Sequence, residues 1–151
     1  MKDTSLANNP DSAVFNERVL SASPSAIFAA FENPNCLARW WGPNGFTNTF
    51  EQFEFKPGGR WAFVMHGPNG ANYPNDNVFR EIVPHARIVI EHVAQPWYRL
   101  TVTLTARGNQ THLGWLQEFA SPEFAAKMRP LCQPANEQNL DRLEAILANN
   151  C

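Results

Sequence analysis

The chain has 151 residues and a net charge of −2, with 44% hydrophobic and 17% charged residues, as in one ordinary globular domain. No stretch is densely basic, which argues against a nucleic-acid partner, because such binding depends on Lys and Arg neutralising phosphates. No apolar run approaches the roughly 20 residues that cross a bilayer, so a membrane partner is not expected.

The first twelve residues are polar, so we expect residues 1–12 to be a flexible tail and residues 13–151 to form a single domain. The tail has no apolar signal core, which predicts a cytoplasmic protein. The cysteines are Cys36, Cys132 and Cys151. Their odd number and wide spacing predict neither a disulfide framework nor a zinc site.

The first elements are a strand and two short helices. Ala13–Leu20 has the composition of a strand. Ser23 and Pro24 fit the N-cap and the first position of a helix, so we predict a helix over Pro24–Phe31. Asn33 and Pro34 end it and open a second short helix that runs to Trp41.

From Thr47 onward the hydrophobic pattern has a period of two, which predicts strands. We predict six of them: Thr47–Phe55, Arg60–His66, Asn77–Val83, Arg87–Val93, Tyr98–Ala106 and Thr111–Phe119. Asn69-Gly70 accepts the positive φ of a hairpin turn. Arg80 and Glu81 are adjacent in one strand and should point to opposite faces, and the pattern does not decide which of them faces inward.

The last element is helical, because Leu140, Leu143 and Leu147 form an apolar face in the segment from Glu123 to about Leu147. Pro130 and Pro134 each remove a helical hydrogen bond, so we expect a break or a kink there and a long helix from about Ala135. A curved antiparallel sheet of six or seven strands can bury its apolar face only against this C-terminal helix. The pattern therefore predicts an α+β fold.

Several blocks resemble those of the heat-shock ATPase activator-like family, in that family's order. They are Arg39-Trp40-Trp41-Gly42-Pro43, Pro57-Gly58-Gly59-Arg60-Trp61, Glu81-Ile82-Val83-Pro84 and Asn136-Glu137-Gln138-Asn139-Leu140-Asp141-Arg142-Leu143. The resemblance covers about residues 13–147. It implies the helix-grip fold of the START-like (SRPBCC, Bet v 1-like) superfamily, with a cavity between sheet and helix. Relatives bind lipids, sterols, hormones or polyketides, and some are cyclases or aromatases.

The candidate ligand-binding residues are mainly aromatic. Trp61, Phe63 and Met65 share a strand face, which is typical of a pocket wall and equally of an ordinary core. Trp40, beside Trp41, could belong to a lid over the cavity or cap one end of the core. The remaining candidates are Trp115 and Leu140, on the last strand and the last helix, and the polar residues His66, Tyr73, His92, Gln117 and Asn136. Each polar residue would contact the ligand or make a core hydrogen bond.

The leading hypothesis is binding of a small hydrophobic or amphipathic molecule in an enclosed cavity of a few hundred Å³, lined by Trp61, Phe63, Trp115 and the last helix. One alternative is a cyclase- or aromatase-like enzyme, which needs His66, Tyr73 and His92 to lie close together. Another is a chaperone-ATPase regulator, which needs a large exposed apolar patch. No pattern predicts a catalytic residue, a metal or a cofactor. An edge strand or the Trp40–Trp41 region could form a homodimer surface.

Overall fold

The structure is a computed structural model and describes residues 10–149 and residue 151. Most of the predicted N-terminal tail, residues 1–9, lies outside the described residues. Pro10–Ser12, at the end of the predicted tail, form a 3₁₀ helix. Ser12 is buried, and this turn packs against the last helix of the chain.

Seven strands form one antiparallel sheet. They are β1 (Ala13–Leu20), β2 (Thr47–Phe53), β3 (Arg60–His66), β4 (Asn72–Val83), β5 (Arg87–His92), β6 (Tyr98–Arg107) and β7 (Gln110–Phe119), in the order β1-β7-β6-β5-β4-β3-β2. The predicted α+β architecture is confirmed. Strand β4 begins five residues earlier than predicted, because Asn72–Val78 pairs with β3 in spite of its Asn, Asp and Pro residues.

A β-bulge in β4 decides the orientation of Arg80 and Glu81. The pairing of β4 with β5 shifts register between Phe79 and Glu81, so Phe79 and Ile82 both point to the core. Arg80 pairs with Glu91 and Glu81 with Arg87, and both are exposed. The expectation that Arg80 and Glu81 point to opposite faces is therefore wrong, and neither faces the interior.

Three α-helices accompany the sheet: α1 (Pro24–Glu32), α2 (Pro34–Trp40) and α3 (Pro122–Ala148). Each starts with a side-chain cap and a proline in its first turn, because Ser23, Asn33 and Ser121 accept hydrogen bonds from backbone N–H groups of the following turn. The capping signals therefore predicted where α1 and α2 begin.

Helix α3 is continuous from Pro122 to Ala148, so the chain does not break at Pro130 and Pro134, and the helix begins well before the predicted Ala135. The two prolines lie four residues apart and are exposed, as is Ala126 one turn before Pro130. The carbonyl groups that lose their helical donors therefore face water, which limits the cost of the missing bonds. The opposite side of α3, with Leu140 and Leu143, is fully buried.

The core lies between the inner face of the sheet and the helices. Aromatic rings dominate it: Trp61 stacks on Phe63 with ring centroids 4.5 Å apart and on Phe79 at 5.7 Å. The indole of Trp41 meets Trp61 edge-on at 5.0 Å. Such offset and edge-to-face pairs add stability beyond the area that they bury.

The outer edge of β1 is covered by side chains of α3. Arg129 donates to the carbonyl oxygen of Ala13 at 2.8 Å, and Gln133 donates to that of Phe15 at 2.9 Å. Free edge carbonyls invite pairing with another chain. These two contacts make β1 a poor surface for edge-to-edge association.

Two cysteines are joined, although their spacing predicts no disulfide. Cys36 on α2 and Cys151 beyond α3 form a disulfide with their Cα atoms 5.5 Å apart, while Cys132 is free. The 115-residue separation in sequence hides a proximity that only the packing of α3 against α2 creates.

Candidate functional site

A small pocket of about 110 Å³ lies between the sheet and α3. We call it the sheet–helix pocket. Four of the predicted site residues line it: Met65, Trp115, Gln117 and Asn136. These four residues come from β3, β7 and α3, which are distant from one another in sequence.

The structure places the other predicted apolar residues in solid core. Trp40, Trp61, Phe63 and Leu140 are at most 1% exposed and do not line the sheet–helix pocket. The sequence predicted an enclosed cavity of a few hundred Å³ lined in part by Trp61 and Phe63. The aromatic cluster fills that volume instead, because stacked indole and phenyl rings pack without voids.

The predicted polar residues His66, Tyr73 and His92 do not meet at the pocket. Both ring nitrogens of His66 are used, on Thr49 at 2.7 Å and on Asn72 at 2.6 Å. Tyr73 is 45% exposed. His92 is bonded through Nδ1 to the carbonyl oxygen of Pro96 at 2.9 Å and stacks on Tyr98. A cyclase-like site would need these three side chains to lie together at the pocket, and none of them lines it.

Gln117 and Asn136 give the pocket its polar side. The Asn136 amide donates to the side-chain oxygen of Gln117 at 3.1 Å and to that of Asn16 at 3.2 Å. Both Asn136 hydrogens are then used, which leaves its carbonyl oxygen as an acceptor and the Gln117 amide hydrogens as donors. One donor group and one acceptor group thus stand side by side in an otherwise largely apolar site.

A polar chain continues from Asn136 to the surface. Asn16 donates to Glu137 at 2.7 Å, and Glu137 also pairs with Arg18 at 2.9 Å. Arg18 binds Asp141 at 2.7 Å as well. Burial alone would lower the pKa of Arg18, but its hydrogen bonds to Asp141 and Glu137 outweigh it and raise that pKa. These bonds fix the rotamers of Asn16 and Asn136.

One wall of the pocket is the loop that contains Trp41, Gly42 and Pro43. Gly42 has φ of 99°, and a Cβ atom there would lie 2.8 Å from the Met65 methyl carbon. Only glycine accepts both this backbone conformation and this approach. The ring centroids of Trp41 and Trp115 are 5.6 Å apart, which gives the pocket an indole pair.

Helix α3 clamps this loop through its backbone. The guanidinium of Arg142 donates to five carbonyl oxygens, those of Arg39, Trp41, Gly42, Pro43 and Phe46, at 2.8–3.2 Å. Asn139 donates to Trp40 O at 2.7 Å and accepts from Gly42 N at 3.2 Å. Burial lowers the pKa of Arg142. Two of the blocks that carry the family resemblance therefore meet at this clamp.

The sequence did not single out Tyr98, Leu100 and Asn139, which also line the pocket. Tyr98 and Leu100 alternate on the inner face of β6, a signal that indicates burial without separating pocket from core. Burial raises the pKa of Tyr98 far above its ordinary value, so its hydroxyl stays a neutral donor. The neighbouring Cys132 thiol also has a pKa raised by burial.

Neither a metal cluster nor a membrane span is found in the part of the chain that the structure describes. No three His, Cys, Asp or Glu residues among these residues could together hold a metal ion. None of the described helices is long and apolar enough to cross a membrane.

Comparison with known proteins gives one family and many similar folds. A family model described as "Activator of Hsp90 ATPase homolog 1-like protein" matches residues 21–148. A protein from Nitrosomonas europaea superposes with a TM-score of 0.87 at 17% identity, over 93% of this chain and 97% of that one. A protein from Chromobacterium violaceum gives 0.78 at 25% identity, over 90% and 96%. No curated protein matches the sequence.

A further similar structure is that of a protein from Silicibacter pomeroyi described as AHSA1. It superposes with a TM-score of 0.74 at 19% identity, over 92% of this chain and 99% of that one. At such identities the solved structures support the fold and no particular activity.

Proposed function

The chain belongs to the activator of Hsp90 ATPase homolog 1-like family, and we propose that it binds a small amphipathic molecule in the sheet–helix pocket. One observation carries the proposal: the free donor of Gln117 and the free acceptor of Asn136 stand beside the indoles of Trp41 and Trp115. Ligand sites typically combine apolar walls with a few convergent polar groups.

The volume limits the ligand. At about 110 Å³ the pocket holds roughly four molecules of water, each taking ~30 Å³, and lies below the ~300 Å³ at which sites for drug-sized ligands begin. The ligand is therefore a compound of few heavy atoms, or the head group of a longer molecule whose tail lies at the mouth.

The two free groups define the head group. A ligand group with an acceptor for the Gln117 N–H₂ and an adjacent donor for the Asn136 C=O would complement both. Primary amides and protonated carboxylic acids have this pair of groups. A head group that lacks the donor or the acceptor makes one hydrogen bond fewer with the pocket, and such a bond contributes about 0.5–1.5 kcal/mol. The proposed ligand class is thus a short-chain amide or acid.

The test is thermal unfolding of the protein with butyramide, butyrate and 1-butanol. We expect a saturable rise in Tm for butyramide, because a ligand at 100 times its Kd adds about 2.7 kcal/mol, or roughly 5–10 °C for a domain of this size. Gln117→Met removes the donor while keeping the shape, and should abolish the rise. Gln110→Met, at an exposed position of the same strand, should keep it.

The outcome can contradict the proposal in two ways. A native protein whose Tm does not respond to any of the three probes would remove the support for a ligand of this class. An equal response of the Gln117→Met variant would show that binding occurs elsewhere.

The alternative functions receive less support. The enzyme hypothesis loses its basis because His66, Tyr73 and His92 are not gathered at one position. Regulation of a chaperone, homodimer formation and a cytoplasmic location stay predictions. The family name is consistent with a chaperone partner, and a binding assay with the purified chaperone at micromolar concentration would test it.

A further inference from the structure

A second and larger cavity lies away from the sheet–helix pocket and shares no lining residue with it. It is a groove of about 380 Å³ between α1 and the end of α3, which we call the helical groove. Its walls are apolar, with Ala29 and Ala30 on one side and Ile146 and Leu147 on the other. This volume is in the range of sites that accept small molecules.

Both partners of the Cys36–Cys151 disulfide line the helical groove. They differ in access, because Cys36 is only 3% exposed on α2 whereas Cys151 is an exposed residue. Exchange proceeds by attack of a thiolate on one sulfur, so access selects which sulfur is attacked. A nucleophile in the groove therefore reaches the Sγ atom of Cys151 first.

The third cysteine is not equipped for this reaction. Cys132 packs beside Phe124 and Met128 in a separate small cluster, and burial raises the pKa of its thiol. A raised pKa keeps the sulfur in the thiol form, which is not the nucleophilic form. The disulfide is thus expected to exchange with external thiols rather than with Cys132.

The charge of the groove favours one class of thiol. Among the described residues that line the groove, Glu32 has the one ionisable side chain other than those of the cysteines. Glu32 is exposed. A carboxylate at the entrance attracts cations and repels anions. The apolar walls and the carboxylate of Glu32 together fit a small thiol that carries an amine.

We propose that the helical groove is a thiol-exchange site, in which a small cationic aminothiol opens the Cys36–Cys151 disulfide by attack on Cys151. The thiolate forms a bond to Cys151 Sγ while the Cys151–Cys36 bond breaks, and Cys36 Sγ leaves with the electron pair and takes up a proton. A second aminothiol then attacks the mixed disulfide and releases Cys151 as a thiol and the aminothiol as its own disulfide. Two thiols are oxidised and one protein disulfide is reduced.

Opening the disulfide frees the segment beyond α3 and leaves the loop of the sheet–helix pocket in place. Cys151 is otherwise held by a backbone hydrogen bond of 3.3 Å to Ile146. The loop of residues 40–46 keeps its separate bonds to Asn139 and Arg142. We expect faster hydrogen exchange at residues 146–149 and at residue 151 after reduction, with little change at residues 40–46.

The experiment uses the whole chain, oxidised with air or oxidised glutathione and then treated with cysteamine or with 2-mercaptoethanesulfonate at equal thiolate concentration. Free thiols are trapped by alkylation and counted by intact mass. Oxidised protein should show one free thiol and reduced protein three. The rate should rise in proportion to thiol concentration and be about threefold or more higher for cysteamine than for the anionic thiol.

Variants separate the groove from general reactivity. Cys132→Ser should still form the disulfide, and Cys151→Ser should not. Glu32→Gln should reduce the preference for cysteamine, whereas Glu51→Gln, an exposed acid on β2, should not change it. Three free thiols after oxidation, or a reduction rate independent of thiol concentration, would overturn the proposed exchange site. Equal rates for the two thiols in the native protein would overturn its assignment to the groove.

Discussion

At the scale of single residues, Arg142 supports the candidate site without lining the sheet–helix pocket. Its guanidinium uses its forked N–H groups on five backbone carbonyl oxygens between Arg39 and Phe46. Those carbonyls belong to the end of α2 and to the loop that walls the pocket. Arg142 is therefore a positioning residue, which acts through the loop that it fixes.

Replacement of Arg142 by Lys should destabilise the protein by about 2–4 kcal/mol. An ammonium group offers three donors without the planar fork, so several of the five carbonyls lose their partner. Urea unfolding would measure the difference. Arg107→Lys, at an exposed position before the β6–β7 turn, is the matched control and should change stability by less than about 0.5 kcal/mol. A neutral result for Arg142→Lys would mean that the loop does not depend on the clamp.

Glu91, on the outer face of the sheet, should make the free energy of unfolding depend on pH. Desolvation favours its neutral form, but hydrogen bonds from Trp97 at 2.7 Å and Arg80 at 2.6 Å outweigh this and lower its pKa below the ordinary 4.5. A carboxyl whose pKa is lower in the folded protein contributes stability above its unfolded pKa, and that contribution disappears as the pH falls through the folded pKa.

In the native protein, the contribution of Glu91 to the free energy of unfolding should therefore be complete above about pH 4.5 and decline below it. Glu91→Gln should lower stability at pH 7 and show a smaller loss between pH 5 and pH 3. Denaturant unfolding across this range measures both slopes. Glu51→Gln is the control, and identical slopes for the Glu91→Gln variant and the native protein would contradict the assignment.

At the scale of elements, α3 shows how a rule of local structure yields to context. Proline inside a helix costs about 3 kcal/mol relative to Ala. Pro130 and Pro134 lie in the first half of α3, yet the helix spans Pro122–Ala148 without a break. Contacts with β1 hold the helix through this stretch, including the bonds that Arg129 and Gln133 make to the edge of β1.

Pro130→Ala should accordingly stabilise the protein by roughly 1–3 kcal/mol, because Ala restores a helical hydrogen bond and has the higher helix propensity. The measurement is the free energy of unfolding in urea. Pro24→Ala gives a contrast, since Pro24 stands in the first turn of α1 where its fixed φ is favourable, and that change should be neutral or slightly destabilising. A destabilised Pro130→Ala protein would show that the proline is needed for the path of α3.

At the scale of the whole molecule, α3 holds α2 at both of its ends. The Cys36–Cys151 disulfide joins the start of α2 to the segment beyond α3, and the Arg142 clamp joins the end of α2 to the C-terminal third of α3. Between these attachments lies the aromatic core that includes Trp40 and Trp61. The helical groove lies beside the disulfide, and the sheet–helix pocket lies beside the Arg142 clamp.

The disulfide closes a long loop, and its reduction should lower stability. A loop of 115 residues corresponds to an upper value of about 4–5 kcal/mol in the chain-entropy description of the unfolded state. We expect oxidised protein to have a higher urea midpoint than the same protein with reductant, and Cys132→Ser to behave as the native chain. Identical midpoints with and without reductant would contradict a disulfide in solution.

The sequence by itself determined the fold class, the family and most element boundaries. Alternation with period two in β6, the caps at Ser23 and Asn33 and the apolar face of α3 are local signals, so they predicted strands and helices without knowledge of the packing. The family resemblance is confirmed over residues 21–148. Four predicted site residues line the sheet–helix pocket, and their role in binding stays a prediction.

Only the tertiary structure decided which aromatic residues line space and which fill it. Trp61, Phe63 and Met65 share one strand face, yet the first two are sealed by neighbouring rings and only Met65 borders the pocket. Contacts between distant segments also decided three other features. These are the bulge at Arg80, the Cys36–Cys151 disulfide and the five hydrogen-bond acceptors of Arg142. Periodicity reports which face of an element is buried, whereas a cavity depends on how well several buried faces fill the space between them.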